Sequence, residues 1–143
     1  MKFLGVDYGD KRIGLAVSDP EGRLALPHSV VSVEGASAQV EKVAEVARAC
    51  GAEAVVVGRP VGLSGEPGPA EKKVNRFAGR LSSKSLRVVL WDERFTTHGA
   101  RTMLEERAMT SREQRPVIDQ VAATILLQSY LDHLNRRGAS SDR

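Results

Sequence analysis

Four acidic residues in this chain occupy positions where a carboxylate needs a reason. Asp7 closes the apolar run KFLGVD and is followed at once by Tyr8 and Gly9. Asp92 and Glu93 close a second apolar run, LRVVLWDE. Asp119 precedes Ala122, Ala123, Leu126 and Leu127 at helical spacing, so a helix there turns its carboxylate toward an apolar face. Burying a charge is costly without compensation. A helix N-terminus offsets about 0.3–1 kcal/mol of that cost, and a bound cation offsets more. Carboxylates gathered at one end of a sheet repel each other, and Mg²⁺ relieves the repulsion. It takes oxygen ligands in an octahedron and keeps waters, so two or three carboxylates plus phosphate oxygens suffice. Two such ions, about 3.5–4 Å apart, activate an attacking water and a leaving oxygen in phosphodiester hydrolysis. In that reading Gly9, lacking a Cβ, lets a phosphate approach the backbone, and Lys11 and Arg12 hold the phosphodiester chain. Turn formation and helix capping are the alternative uses of the same acids, and spacing alone leaves both readings open.

The elements that must position these residues follow from apolar patterning. The runs 2–7 and 12–18, separated by YGDK, form a hairpin of two strands, and 24–33 suggests a third strand that Pro27 places at an edge or a bend. Val40, Val43, Ala44 and Ala47 recur on one helical face within 37–50, with Ser37 as the expected N-cap and Gly51 as the C-cap. The continuous apolar run 52–58 reads as a buried parallel strand. The Gly- and Pro-rich segment 59–69 reads as a loop, and Val74, Phe77, Ala78 and Leu81 mark the next helix. A buried strand is expected at 86–92, then a helix capped by Thr97 with Ala100, Met103 and Leu104 inward, a polar stretch at 108–116, and a last helix from about Pro116 to about Arg136. The order β-β-β-α-β-α-β-α-α predicts an α/β fold: one mixed five-stranded sheet with helices on both faces. A single domain is expected over 1–137, with a disordered tail at 138–143.

The 143 residues suit one core, and 41% apolar content with only 4% aromatics means that aliphatic side chains fill it. No run of about 18 apolar residues predicts a membrane span, and the N-terminal residues lack the apolar region of a secretory signal. A cytoplasmic protein without a membrane partner is therefore expected. The formal net charge is +3 and the isoelectric point about 9.3, which permits a nucleic-acid partner without requiring one. Arginine outnumbers lysine, and many of the arginines look scattered across helices. Cys50 has no cysteine partner and reads as a small buried hydrophobe.

Three blocks, DYGDKRIGLAVSD, DERFTT and VIDQVAATILLQSYL, together resemble the YqgF or RuvX family of pre-16S rRNA nucleases, relatives of the RuvC Holliday-junction resolvases. The resemblance spans almost the whole chain. It implies an RNase H-like fold and a Mg²⁺- or Mn²⁺-dependent nuclease linked to maturation of the 16S rRNA 5′ end. By the same resemblance Asp7, Glu93 and Asp119 are the catalytic, metal-binding acids. The loop GRPVGLSGEPG is similar to the family's GLP…G…G loop, with Arg59 where leucine is usual. The segment before Asp119 is often lysine-rich in the family, whereas here it offers Arg112 and Arg115 as substrate-gripping residues.

Arg94 either binds phosphate or pairs with Asp92 or Glu93. Thr96 and Thr97 read as caps, Asp19 before Pro20 as a turn former, and Trp91 as core. His28, His98 and His133 read as non-ligands, and Asp92 as an acid supporting the triad or ending its strand. Four functions compete. The first is a metal-dependent endonuclease acting on precursor 16S rRNA or other structured nucleic acid, as a monomer or weak dimer, with ribosomal particles as a further partner. The second is a junction-cleaving DNA endonuclease, which needs two sites in a symmetric dimer. The third is a non-catalytic ribosome-assembly factor. The fourth follows from DYGDKRIG, which also resembles the phosphate hairpin of sugar kinases, actin and Hsp70-type ATPases. Those enclose a nucleotide between two such domains, and this chain supplies one.

Overall fold

The computed structural model describes residues 1–9, 11–60, 66–93 and 115–141, with side chains of the last segment described over 117–137. The elements are β1 (Phe3–Asp7), β2 (Ile13–Ser18), β3 (Ala25–Val31), α1 (Ala36–Cys50), β4 (Ala54–Arg59), α2 (Pro69–Ser82), β5 (Val88–Asp92) and α3 (Arg115–Ser141). The five strands form one sheet in the order β3-β2-β1-β4-β5. The first three strands pair antiparallel as a meander, and β4 and β5 add in parallel on the other side of β1. This is the mixed sheet expected from the sequence. The helix expected after Thr97 lies outside the described residues, as do 61–65 and 108–114.

Alternation along the strands sorts the core into two layers. Leu4, Val6, Ile13, Leu15, Val55 and Val57 face one side, where they meet Val40, Val43, Ala44 and Ala47 of α1 and Val74, Phe77 and Leu81 of α2. Phe3, Ala16, Ala54 and Val56 face the other side, against Ala123, Leu127, Tyr130 and Leu131 of α3. Helices therefore cover both faces. The second layer is thin because its sheet residues are small, so α3 lies close to the strands. A Cβ on Gly5 would come within 2.7 Å of the Leu127 Cβ, which only glycine allows.

Polar contacts then set where α3 sits along its axis. The Ala25 N–H donates to Gln128 Oε1 at 2.8 Å, and Gln128 Nε2 donates to the Arg23 carbonyl at 2.8 Å. Asn135 Nδ2 donates to the Gly22 carbonyl at 3.2 Å. These bonds tie α3 to the β2–β3 turn and so fix the height of its first turn above the sheet.

Three local expectations shift. Gly35, at φ 94°, is the N-cap of α1 without a side-chain hydrogen bond, so Ser37 falls inside the first turn. Gly51 closes α1 in the left-handed region at φ 70°, as expected. The backbone of α3 stays helical to Ser141, beyond the end expected near Arg136 and into the tail expected at 138–143. Finally, β5 is half-buried instead of buried, with Leu90 37% exposed. It is the last strand of the described sheet, so one of its sides has no strand neighbour.

Candidate active site

Asp7 ends β1 on the α3 side of the sheet and is 8% exposed. Its antiparallel partner across β2 is Gly14. On the other side, the register that pairs Val6 with Val57 brings Gly58 of β4 beside it. The carboxylate thus stands in a row whose two neighbouring positions on the same face carry no side chain. Each gap is occupied by one of the other two acids of the expected triad. A Cβ on Gly14 would lie 2.0 Å from the Asp119 carbonyl oxygen and 3.1 Å from the Asp119 Cβ, so the first turn of α3 rests directly on β2. A Cβ on Gly58 would lie 3.0 Å from Glu93 Oε1, so the Glu93 side chain reaches over β4. Asp119 and Glu93 therefore flank Asp7 from opposite sides.

Glu93 and Asp92 separate for the same pleat reason. Trp91 packs on the α3 side, so Asp92, paired with Arg59 in register, points to the α1–α2 side and Glu93 returns to the side of Asp7. Asp92 thus ends β5 on the face away from Asp7.

Arg12 is not placed on open solvent as a phosphate holder. Its Nε donates to Asp119 Oδ2 at 2.7 Å, with side-chain exposures of 36% and 22%. Such a part-exposed pair stabilises by about 0–1 kcal/mol. Among the described residues no group of three or more His, Cys, Asp or Glu side chains stands close enough to hold a metal ion. The donor chemistry of Asp7, Glu93 and Asp119 nevertheless suits a hard divalent cation, because all three offer carboxylate oxygens.

Gly9 has a local reason that the sequence did not reveal. A Cβ there would meet the Arg12 carbonyl oxygen at 2.6 Å, so glycine is what lets the β1–β2 turn close. Gly9 also lines a cavity of about 440 Å³ together with Tyr8, Pro60, Pro69, Lys73 and Glu93. Lys73 is the contributor that sequence reasoning missed, although its exposed position on α2 one residue before the apolar Val74 was readable. Lys11 is exposed in the turn. Arg94 and Arg112 lie outside the described residues, and Arg115 opens α3 as backbone only.

The remaining candidates resolve as follows. Asp19 is a turn former: Oδ1 accepts the N–H groups of Arg23 at 2.7 Å and Leu24 at 3.1 Å, and these bonds hold its carboxyl below the usual range. Trp91 packs edge-on against Tyr130 at 5.3 Å and donates from Nε1 to Ser129 Oγ at 3.2 Å. His133 lies against the Trp91 ring at 5.0 Å, and His98 is outside the described residues. Cys50 is only part-buried, and its Sγ lies 3.4 Å from His28 Nε2, a contact between residues that sequence distance had kept apart. Arg59, on the α1–α2 side, pairs with the nearly buried Glu71 at 3.7 Å and ties β4 to the first turn of α2. No helix among the described residues is long and apolar enough to cross a membrane.

A family model described as RuvX, Holliday junction resolvase, matches residues 1–133. A protein of Pelotomaculum thermopropionicum named "Putative pre-16S rRNA nuclease" is 42% identical over 138 residues, covering 95% of this chain and 90% of that protein. A protein of the same name from Moorella thermoacetica is 40% identical over 139 residues, covering 96% and 99%. Among solved structures, Thermus thermophilus RuvC in complex with Holliday junction substrate matches with a TM-score of 0.58 at 19% identity, covering 93% of this chain and 96% of that one. The fowlpox virus Holliday junction resolvase matches at 0.55 and 14% identity, covering 94% and 99%. At these identities the structural likeness concerns the fold, which is RuvC-type and RNase H-like, as the sequence blocks implied.

Proposed function

Because the chain belongs to the RuvX Holliday junction resolvase family, we propose that it is a divalent-metal-dependent endonuclease that hydrolyses phosphodiester bonds in precursor 16S rRNA. The observation that carries this reading is the row Gly14–Asp7–Gly58 with Asp119 above one gap and Glu93 above the other. Asp7 is a buried carboxylate at a strand position where an apolar side chain would pack better, and Asp119 and Glu93 lie over the bare positions on either side of it. In this reading Asp7, Glu93 and Asp119 hold Mg²⁺ or Mn²⁺. The ion, when bound, neutralises the acids and the phosphate and lowers the pKa of water, which supplies the nucleophile.

The chain's own groups do the rest. Asp119 leaves Arg12 to join the acids, and the guanidinium so released faces the phosphate instead. The cavity beside Glu93 receives the scissile segment, with the turn at Gly9 on one side and the first turn of α2 on the other. That turn starts at Pro69 without a side-chain cap, leaving N–H groups that favour a phosphate. Lys11, Arg94, Arg112 and Arg115 complete the grip. The protein acts in the cytoplasm, as a monomer or weak dimer, on rRNA in or near a ribosomal particle.

RNA is favoured over a four-way DNA junction by the name that the relatives carry and by charge. A junction needs paired sites at fixed separation and a broad basic surface, while the formal net charge here is +3. The test is cleavage of precursor 16S rRNA beside a synthetic four-way junction, at equal salt and metal, with Glu93→Gln as the blank. Metal-dependent cutting of the RNA by the wild type alone is expected. Symmetric nicking of the junction by a stable dimer, with the RNA untouched, would transfer the reading to a resolvase.

A further inference from the structure

We propose that the Arg59–Glu71 ion pair is a brace behind the carboxylate cavity, and that through it Arg59 is a positioning residue for the RNA strand. The inference rests on the nuclease reading above and adds what holds two walls of the cavity at their separation. Pro60 lines the cavity from the end of β4, while Pro69, Ala70, Lys73 and Val74 line it from the first turns of α2. Arg59 is the chain neighbour of Pro60, and Glu71 is the chain neighbour of Ala70. Neither is among the lining residues, so their contact joins the two walls without crossing the space between them.

The pair reaches between elements where a local contact was open to it. Glu71 is the third residue of α2, counted from Pro69. A glutamate there ordinarily reaches back to the free N–H groups of its own first turn. Here Oε1 faces Arg59 Nε at 3.7 Å instead. That distance is ionic and too long for a hydrogen bond, and the buried Nε has no hydrogen-bond acceptor among the described residues. The brace therefore holds by charge.

Burial makes the two partners unequal. The Glu71 side chain is 10% exposed and that of Arg59 is 39%. A buried carboxylate needs a partner to keep its charge. Without Arg59, the first turn of α2 must shift to let water reach Glu71, and the lining residues move with it. Without Glu71, Arg59 can turn its guanidinium to solvent on its long stem and leave the wall in place. Exchanging both for apolar residues removes the buried charge, a replacement that ion pairs of this kind tolerate well.

The test follows steady-state cleavage of precursor 16S rRNA, and anisotropy of a labelled single-stranded RNA on the same variants carrying Glu93→Gln. Arg59→Met should raise KM, and weaken the bound RNA, by about tenfold, with kcat within about threefold, the pattern of lost binding without lost transition-state stabilisation. Arg59→Gln leaves Glu71 a neutral donor and should raise KM by about threefold with folding intact. Arg59→Met/Glu71→Met should return KM to within about twofold of the wild type, as should Glu71→Met alone. An arginine that gripped phosphate itself would stay lost in the double variant. Lys42→Ala/Glu45→Ala removes an exposed ion pair of α1 and should leave every readout unchanged. A KM not restored in the double variant would overturn the brace, and so would a wild-type KM in both folded Arg59 variants. If the wild type cuts no RNA, the nuclease reading fails, and the anisotropy series decides the brace by the same pattern of loss and return.

Discussion

Gly14→Ala tests whether close packing of α3 on β2 is what puts Asp119 beside Asp7. The added Cβ would start 2.0 Å from the Asp119 carbonyl oxygen, which is backbone and cannot rotate away. Ordinary contact begins near 3.4 Å, so the first turn of α3 must lift by roughly 1.4 Å. Further along the helix the lift is resisted by Leu127 against Gly5 and by the Gln128 and Asn135 hydrogen bonds to the β2–β3 turn. The helix therefore tilts at its N-terminus, where Asp119 is. Overpacking of this kind costs about 1–3 kcal/mol, or about 3–12 °C in Tm. Misplacing a reacting group by about 1 Å costs on the order of 100-fold in rate. The assay pairs thermal melting with metal-dependent cleavage of precursor rRNA. A folded variant, melting within that range, with kcat reduced about 100-fold, is expected. Gly58→Ala should be milder, because its Cβ meets the Leu126 side chain at 2.9 Å and Glu93 Oε1 at 3.0 Å, which are movable ends. Wild-type kcat in folded Gly14→Ala would show that Asp119 does not need its position over β2, and the triad reading would fall with it.

Two further outcomes follow from the same contacts. Arg12→Ala should lower Tm only slightly without metal, by an amount worth about 0–1 kcal/mol. It should enlarge the rise in Tm that saturating Mg²⁺ or Mn²⁺ produces, because Asp119 no longer has to exchange a partner; a smaller rise than in the wild type, read by calorimetry, would place Arg12 among the residues that help metal binding. Gly79→Ala fills open space on the exposed side of α2 and should raise stability by about 1 kcal/mol with cleavage unchanged, and a loss of stability by denaturant titration would refute the contact geometry of that helix.

The strands and helix faces were legible because burial writes itself into local patterning. The run Ala54–Val57 is continuous because β4 is covered on both faces, and Ala123, Leu126 and Leu127 recur at helical spacing because α3 packs on one side. Asp7 was legible as a carboxylate in an apolar run. The pairings around it were not, since each depends on register between distant segments. Gly14 and Gly58 become neighbours of Asp7 only once β1 has paired on both sides, and Arg12 meets Asp119 across 107 residues. The choice between Asp92 and Glu93 needs the sheet, because adjacent residues point to opposite faces and spacing says nothing about which face holds Asp7. Two of the arginines that looked scattered, Arg76 and Arg80, share a face of α2 with Lys73: the interval 73, 76, 80 was visible in the sequence, but which face of α2 borders a cavity was not.

The two glycines beside Asp7 are used differently, and the difference gives the site a direction. A side chain on either neighbouring strand would have covered the carboxylate, so both positions are bare. The gap at Gly14 is filled by α3 backbone, which closes that flank with rigid main chain. The gap at Gly58 is met only by the ends of two side chains, Leu126 and Glu93, and Glu93 borders the cavity. That cavity lies on the β4 side of the row, where Gly9, Pro60 and Pro69 line it and Lys73 supplies positive charge. Arg12 comes from the opposite flank, through Asp119.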